Sequence, residues 1–202
     1  MPLPDHIHPV DRQLLQRADK EMLLGQRGCV VWMTGLSGSG KSTIAAALER
    51  QLHAAGRYTV VLDGDNVRAG INNNLGFSAA DRMENIRRIA EVAKLFLRNG
   101  AVVVCCFISP TAAIRAQARD VIGAEDFIEV FVDTPLEECE RRDVKGLYAK
   151  ARAGEIKHFT GVDAPFEPPS APALRLTTIN RSAGKAADTL FHFLLPRIKP
   201  LP

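Results

Sequence analysis

The sequence predicts an α/β protein: three layers, with helices on both faces of a mainly parallel, five-stranded sheet. Five short apolar runs have the length and aliphatic content of strands buried on both sides, at Cys29 to Met33, Thr59 to Leu62, Ala101 to Phe107, Phe127 to Val132 and, more weakly, Leu174 to Thr178. Helical patterns separate them, and this alternation implies strand–helix–strand units. A chain of 202 residues, 46% hydrophobic and undivided by any long Gly/Ser, Pro or single-sign charge tract, suits one core.

Taken in order, residues 1–27 read as a polar or weakly helical arm without chemistry, and 28–202 as the domain proper. The first strand leads through a glycine-rich loop into a helix from Thr43 to Ala55. After the second strand, Ser78-x-x-Asp81 resembles a capping box and opens a helix from Asp81 to Asn99. Its apolar stripe is Met83, Ile86, Ala90, Ala93 and Leu97, while Arg82, Asn85 and Ile89 share another face. The third strand feeds a helix from Thr111 to Ile122, the fourth a helix from Leu136 to Tyr148, and the fifth a helix from Ala183 to Leu195. Lys145 to Pro172 interrupts the pattern with Gly, Pro, Lys and Arg, and reads either as a mobile cover over a site or as a solvated basic loop.

Twenty-six Lys and Arg against 23 Asp and Glu leave a net charge of +3, too mild to mark a nucleic-acid surface; a few arginines on a small anion explain it equally well. The four cysteines, Cys29, Cys105, Cys106 and Cys139, form no C-x-x-C, and three sit in or beside apolar runs. They read as buried thiols in a reducing compartment. The N-terminus, with Asp5, His6 and His8, has no apolar core of a leader, and the longest apolar stretch, Ala101 to Ile108, is far too short for a bilayer. A soluble cytoplasmic protein with no membrane and no nucleic-acid partner is expected.

Residues 35 to 43 read Gly-Leu-Ser-Gly-Ser-Gly-Lys-Ser-Thr and match G-x-x-x-x-G-K-[ST] at Gly35, Gly40, Lys41 and Ser42. The match lies between a strand and a helix, the order a phosphate cradle requires. Glycines let backbone N–H groups turn onto an anion, and the helix start adds partial positive charge. This predicts a P-loop nucleotide-binding fold taking a nucleoside triphosphate with Mg²⁺. Gly35, Leu36, Ser37, Gly38, Ser39, Gly40, Lys41, Ser42 and Thr43 form the cradle; Lys41 reaches the β- and γ-phosphates and the Ser42 hydroxyl the metal.

The loop alone does not name a reaction. After the second strand the chain reads Leu62-Asp63-Gly64-Asp65-Asn66-Val67-Arg68, which sets two carboxylates and an arginine beside the expected γ-phosphate. A carboxylate there can accept a proton or help position Mg²⁺, and an arginine can hold an anionic acceptor; an Asp-Gly turn with solvated charges is the plain alternative. Asp63 is taken as base or Mg²⁺ partner and Asp65 as acceptor ligand, although both are placed for the first role.

These residues resemble the adenylylsulfate (APS) kinases. The resemblance rests on GLSGSGKST at 35–43, LDGDNVR at 62–68, LGFS at 75–78, DRMENIRR at 81–88 and FISP at 107–110. It continues through FIEVFVDTPLEECERRDVKGLY at 127–148 and KARAGEIKHFTGVDAPFEPP at 150–169, and covers the chain from about Gly28 to Leu176.

The resemblance implies transfer of the ATP γ-phosphoryl group to the ribose 3′-hydroxyl of adenosine 5′-phosphosulfate, giving 3′-phosphoadenosine 5′-phosphosulfate (PAPS) and ADP in sulfate assimilation. It implies that Asp65, Arg68, Phe77, Arg82, Asn85, Ile108, Ser109, Lys145, Phe159 and Thr160 contact the acceptor. The side chains suit this: Phe77 and Phe159 can sandwich a purine, and Arg68 and Arg82 can pair with the phosphosulfate. It also implies a lid at about 145–172, where Lys145, Lys150, Arg152 and Lys157 bring charge and Gly146, Gly154 and Gly161 permit hinge motion. A homodimer is implied as well, with an ATP sulfurylase as a possible separate partner.

Ser109 stands where bacterial members of the family are described as carrying a phosphoserine. It can instead bond the acceptor or cap the helix near Thr111, and with no activating His or Lys evident beside it, direct transfer is the favoured reading. Arg141 and Arg142 either contact ATP or solvate a helix face. Met83, Phe166 and Cys105-Cys106 depart from the common family pattern without removing a group the chemistry needs. A kinase acting on a sugar acid or another nucleotide, and a regulatory nucleotide-binding protein without catalysis, are the rival readings.

Overall fold

The computed structural model describes residues 6–200; the first five residues of the expected arm, Asp5 among them, and the last two of the domain lie outside the described residues. Five strands, β1 (Cys29–Thr34), β2 (Thr59–Asp63), β3 (Val102–Cys106), β4 (Phe127–Asp133) and β5 (Leu174–Thr177), form one sheet in the order β2-β3-β1-β4-β5. Every pairing is parallel, with Met33 beside Cys106 on one side of β1 and beside Val130 on the other. All carboxyl ends therefore face one edge, where ligands of such folds collect.

The alternation along β1 explains the layers. Val31 and Met33 face α2 (Lys41–Ala54) and α8 (Ala183–Leu194), joining Ile44, Leu48, Leu52, Leu190 and Leu194 in one core. Val30 and Trp32 face α4 (Ala79–Leu97) and α5 (Ala112–Ile122), joining Ile86, Ile89, Ala93, Ile114 and Ala118 in the other. Trp32 lies 5.6 Å from the Phe107 ring and 5.7 Å from that of Phe127. A central strand buried at every position thus feeds two cores at once.

Element boundaries follow local chemistry. Ser78 caps α4 by accepting from the Asp81 N–H, and Thr111 caps α5 by accepting from Ile114, so Ser109 takes no part in that cap. On α4 the buried stripe is centred on Ile86, Ile89, Ala90 and Ala93 rather than including Met83, which is 37% exposed. At about 100° per residue Met83 falls at the margin of that stripe, while Ile89 turns into the core.

Two elements depart from the sequence reading. The stretch after Asp63, assigned no element from the sequence, is a short helix, α3 (Gly64–Ala69), with Asp63 as its N-cap. The helix expected from Leu136 to Tyr148 is two, α6 (Leu136–Arg142) and α7 (Leu147–Arg152). Between them Gly146 adopts a left-handed φ of 65°, and the Asp143 carboxylate accepts from the Tyr148 and Ala149 N–H groups, both at 3.0 Å. A side chain that caps the next helix is what ends the first.

The described part of the arm holds a helix, α1 (Arg17–Leu24), with no buried residue. Arg17 ties it down with a two-pronged pair to Asp126, at 2.6 and 2.9 Å, and a bond to the Gly28 carbonyl. Gln26 is wholly buried and bridges the Tyr58 and Gly100 carbonyls.

Leu190 has no exposed surface between α8 and the sheet. Leu190→Ala is expected to lower unfolding free energy by about 2–5 kcal/mol, read from the midpoint and slope of urea denaturation.

Candidate active site

β1 ends at the buried Thr34, and the chain then turns through Gly35 to Gly40 before α2 begins at Lys41. Two glycines are required by position. A Cβ on Gly35 would stand 2.6 Å from the Val132 carbonyl of the neighbouring strand, and Gly40 caps α2 at a φ of 103°. The loop packs so closely on β4 and α6 that only backbone fits, leaving its N–H groups at the start of a fourteen-residue helix.

A cavity of about 810 Å³ opens from this loop along the carboxyl edge of the sheet. Ser37, Gly38, Ser39, Gly40, Lys41, Ser42 and Thr43 line one end. Asp63 stands beside Ser42, and Asp65, Arg68, Phe77, Arg82, Asn85, Ile108 and Ser109 line the rest, with Lys145, Phe159 and Thr160 from the covering segment. Nearly the whole predicted set is therefore brought together. Gly35 and Leu36 sit behind the cradle and shape it instead of lining it.

Arg141 is the exception: it points away, 73% exposed and paired with Glu138, whereas its neighbour Arg142 enters the cavity. One residue along a helix is a turn of about 100°, enough to exchange solvent for the site. Arg142 donates to the Thr178 carbonyl at 3.0 Å and to its hydroxyl at 3.2 Å, within reach of the Gly38 and Ser39 carbonyls. Thr178 and Arg181, outside every quoted motif, also line the cavity, as do Ile156 and His158, which lie in the quoted 150–169 stretch without having been singled out.

The Ser42 hydroxyl donates to Asp63 Oδ2 at 2.6 Å, while Asp63 Oδ1 accepts from the Asp65 N–H. A hydroxyl and a carboxylate held together beside a phosphate cradle are the donors Mg²⁺ takes when it shares itself with substrate phosphates. Among the described residues no group of three His, Cys, Asp or Glu could hold a metal alone.

Lys41 is buried and donates to the Gly35 and Leu36 carbonyls, both at 2.8 Å. Loss of hydration pushes its ammonium down to about 8, outweighing the pull of nearby Asp63. Arg68 donates to the Leu75 and Gly76 carbonyls and covers the Phe77 ring at 4.3 Å. Arg82 donates to the Phe77 and His158 carbonyls and to the Thr160 hydroxyl, pinning the covering segment to α4. Among the described residues neither arginine forms an ion pair with a carboxylate, so both keep charge for an anion. Lys145 pairs with Asp65 across the cavity mouth.

Ser109 is 2% exposed, with a left-handed φ of 38°. Its Oγ accepts from the Trp32 indole N–H at 3.1 Å and donates to Thr34 Oγ1 at 3.0 Å. His158, which also lines the cavity, has a φ of 57°. Non-glycine residues at such angles cost about 1–3 kcal/mol each and cluster where a site is built. Lys157 also lines the cavity, but Lys150 does not, and Arg152 pairs outward with Glu140.

A backbone loop shaped for a polyphosphate, opening into a covered chamber with free arginines at its far end, defines a P-loop kinase, an enzyme that moves a phosphoryl group from a nucleoside triphosphate to a second molecule. A family model described as adenylylsulphate kinase matches residues 27–177. The adenylyl-sulfate kinase of Bacteroides thetaiotaomicron is 60% identical over 195 residues, covering 96% of this chain and 97% of that one. The Mycobacterium tuberculosis APS kinase CysC, solved in complex with AMPPNP and APS, superposes with a TM-score of 0.80 at 56% identity, over 83% of this chain and 98% of that one. The bifunctional enzyme NodQ of Rhizobium sp. is 58% identical over 172 residues, 85% of this chain but 27% of its own length. The chain belongs to the adenylylsulphate kinase family.

Between about pH 8 and the ordinary lysine value of 10.5, the unfolded chain keeps a proton on Lys41 that the folded one sheds, so folding stability gains across this window as pH rises and loses that gain as pH falls through about 8. A bound polyphosphate restores the charged form. Calorimetric titration with Mg-ATP at roughly pH 8.5, in buffers of different ionisation enthalpy, is expected to show proton uptake that Lys41→Met abolishes.

Proposed function

We propose that this chain transfers the γ-phosphoryl group of ATP to the ribose 3′-hydroxyl of adenosine 5′-phosphosulfate, forming PAPS and ADP in sulfate assimilation. One observation carries the reading: a single covered chamber of about 810 Å³ has the phosphate loop at one end and Arg68, Phe77, Arg82 and Asn85 at the other. Two nucleotides placed end to end bring donor phosphate and acceptor hydroxyl together between Lys41, Asp63 and Ser109.

Each role follows from what the group already touches. Lys41 leaves the carbonyls of Gly35 and Leu36 for the β- and γ-phosphates, exchanging weak partners for full charges. Ser42 and Asp63 would hold Mg²⁺, which when bound supplies charge neutralisation on the transferring phosphate. Asp65, on the lid side with Lys145, serves the acceptor, as do Phe77, Phe159, Thr160 and the backbone at Ile108. A loose transition state asks for alignment more than for a strong base, so Asp63 acts chiefly by position. Exclusion of water by the lid keeps ATP from hydrolysis when the acceptor is absent.

Ser109 is a support rather than a carrier in this reading. Its hydroxyl is buried, engaged by Trp32 and Thr34, and has no His or Lys among its hydrogen-bond partners to remove its proton, which favours direct transfer. The reading also includes a homodimer, a cytoplasmic location supported by four buried, unpaired cysteines, and an ATP sulfurylase as a separate partner.

ADP release from Mg-ATP should depend strongly on added adenosine 5′-phosphosulfate, with the 3′-phosphorylated product detected directly by mass; acceptor-independent or absent turnover sinks the assignment. Asp63→Asn should lower kcat by at least roughly tenfold while the acceptor KM stays near the wild-type value. Ser109→Ala should lose some of the turnover yet keep forming product, whereas an obligatory phosphoserine requires complete loss.

A further inference from the structure

Ser109 sits at the mouth of the third crossover in a backbone shape that a serine does not adopt unaided, and the groups that impose it lie behind the cavity wall. The Ile108 carbonyl accepts from Thr34 Oγ1 at 2.6 Å, and the Ser109 carbonyl accepts from Arg115 Nη1 at 3.0 Å. Arg115, on α5, is 5% exposed, and its Nε pairs with Glu129 Oε1 of β4 at 2.8 Å. From the lid, the Glu167 N–H donates to the Pro110 carbonyl at 2.8 Å, and its carboxylate accepts from the Ala112 N–H at 2.7 Å.

We propose that Arg115, oriented by Glu129, is a positioning residue for the acceptor: it holds the Ile108–Pro110 segment in the shape that binds the second nucleotide. This rests on the kinase reading given above.

A buried ion pair adds little stability over apolar packing of the same volume, so the consequence of this one lies in where its remaining donor points. It points at the carbonyl of the one residue in the segment with a left-handed φ. A trans peptide sets its N–H opposite its C=O, so turning the Ile108 carbonyl inward turns the Ser109 N–H the other way, on the cavity side. Among the described residues that N–H has no protein partner, which leaves it free to donate to the acceptor. Arg115 itself does not line the cavity, so its effect passes entirely through the backbone it grips. A guanidinium can bond Glu129 and the Ser109 carbonyl at once because its donors form a rigid fork; an ammonium or an amide at that place serves only a single partner well.

The test is steady-state kinetics on full-length wild type, Arg115→Gln and Arg115→Lys, varying each substrate in turn and recording the melting temperature of each protein. Arg115→Gln should raise the KM for adenosine 5′-phosphosulfate about tenfold and leave the KM for ATP within about twofold, with Arg115→Lys falling between it and wild type. If melting temperature and kcat fall while the ratio of the two KM values stays at the wild-type figure, the pair is merely structural and the proposal is overturned. Should Arg115→Gln not fold, the KM ratio of Arg115→Lys decides alone. Wild type without acceptor-dependent turnover in the same assay overturns the kinase reading instead, which separates the two failures.

Discussion

The close approach of the phosphate loop to its neighbours is the constraint on which the rest of the structure depends. Gly35 lies so near the Val132 carbonyl that no side chain fits between them, and a Cβ on Gly38 would stand 3.1 Å from the Cys139 carbonyl. That proximity is possible because β1 is the middle strand, with β4 hydrogen-bonded beside it and α6 following β4 across the loop. The loop therefore inherits its shape from the sheet. A fully buried β1, closed on both faces by Leu48 and Leu190 on one side and Ile89 and Ala118 on the other, makes that sheet rigid enough to serve as the template.

The far end of the chamber works on a different principle. Arg68 and Arg82 are half-buried, and loss of hydration pushes both guanidinium groups downward from their ordinary value. Their protein partners are mostly neutral carbonyls, which orient the charge without cancelling it. Lys145 and Asp65, by contrast, satisfy each other across the opening. The pair couples α3 to the segment that follows α6.

Of the three described non-glycine residues with positive φ, Ser109, His158 and Asn180, the first two line the cavity. Each of these two is over-determined by surrounding bonds: Trp32, Thr34 and Arg115 on Ser109, and Arg82 and Asp163 on His158. Core side chains thus reach the site through the backbone they hold. Sequence reasoning passed over Trp32, Thr34, Arg115 and Glu129 because each is an ordinary residue for its element. Their significance lies in a partner on another element, as far as 77 positions away for Trp32 and Ser109, or in a direction that a pattern does not encode.

Local chemistry was legible. Strand and helix alternation, the Gly35-to-Thr43 cradle, the Ser78 cap and the carboxylates after β2 are set by spacing and residue type over a few positions, so sequence alone determined the fold class and the place of the phosphate loop, and the family resemblance named many of the residues that line the cavity. Rotation and long-range pairing were not. Whether Arg141 or Arg142 enters the chamber turns on the phase of a seven-residue helix, whether Met83 is core depends on its angle to the buried stripe of α4, and the break at Asp143 depends on a carboxylate finding the N–H groups of the next helix. These were decided only by tertiary structure, because a difference of one position along a helix is about 100° in space, and only the packed neighbours say which direction is inward.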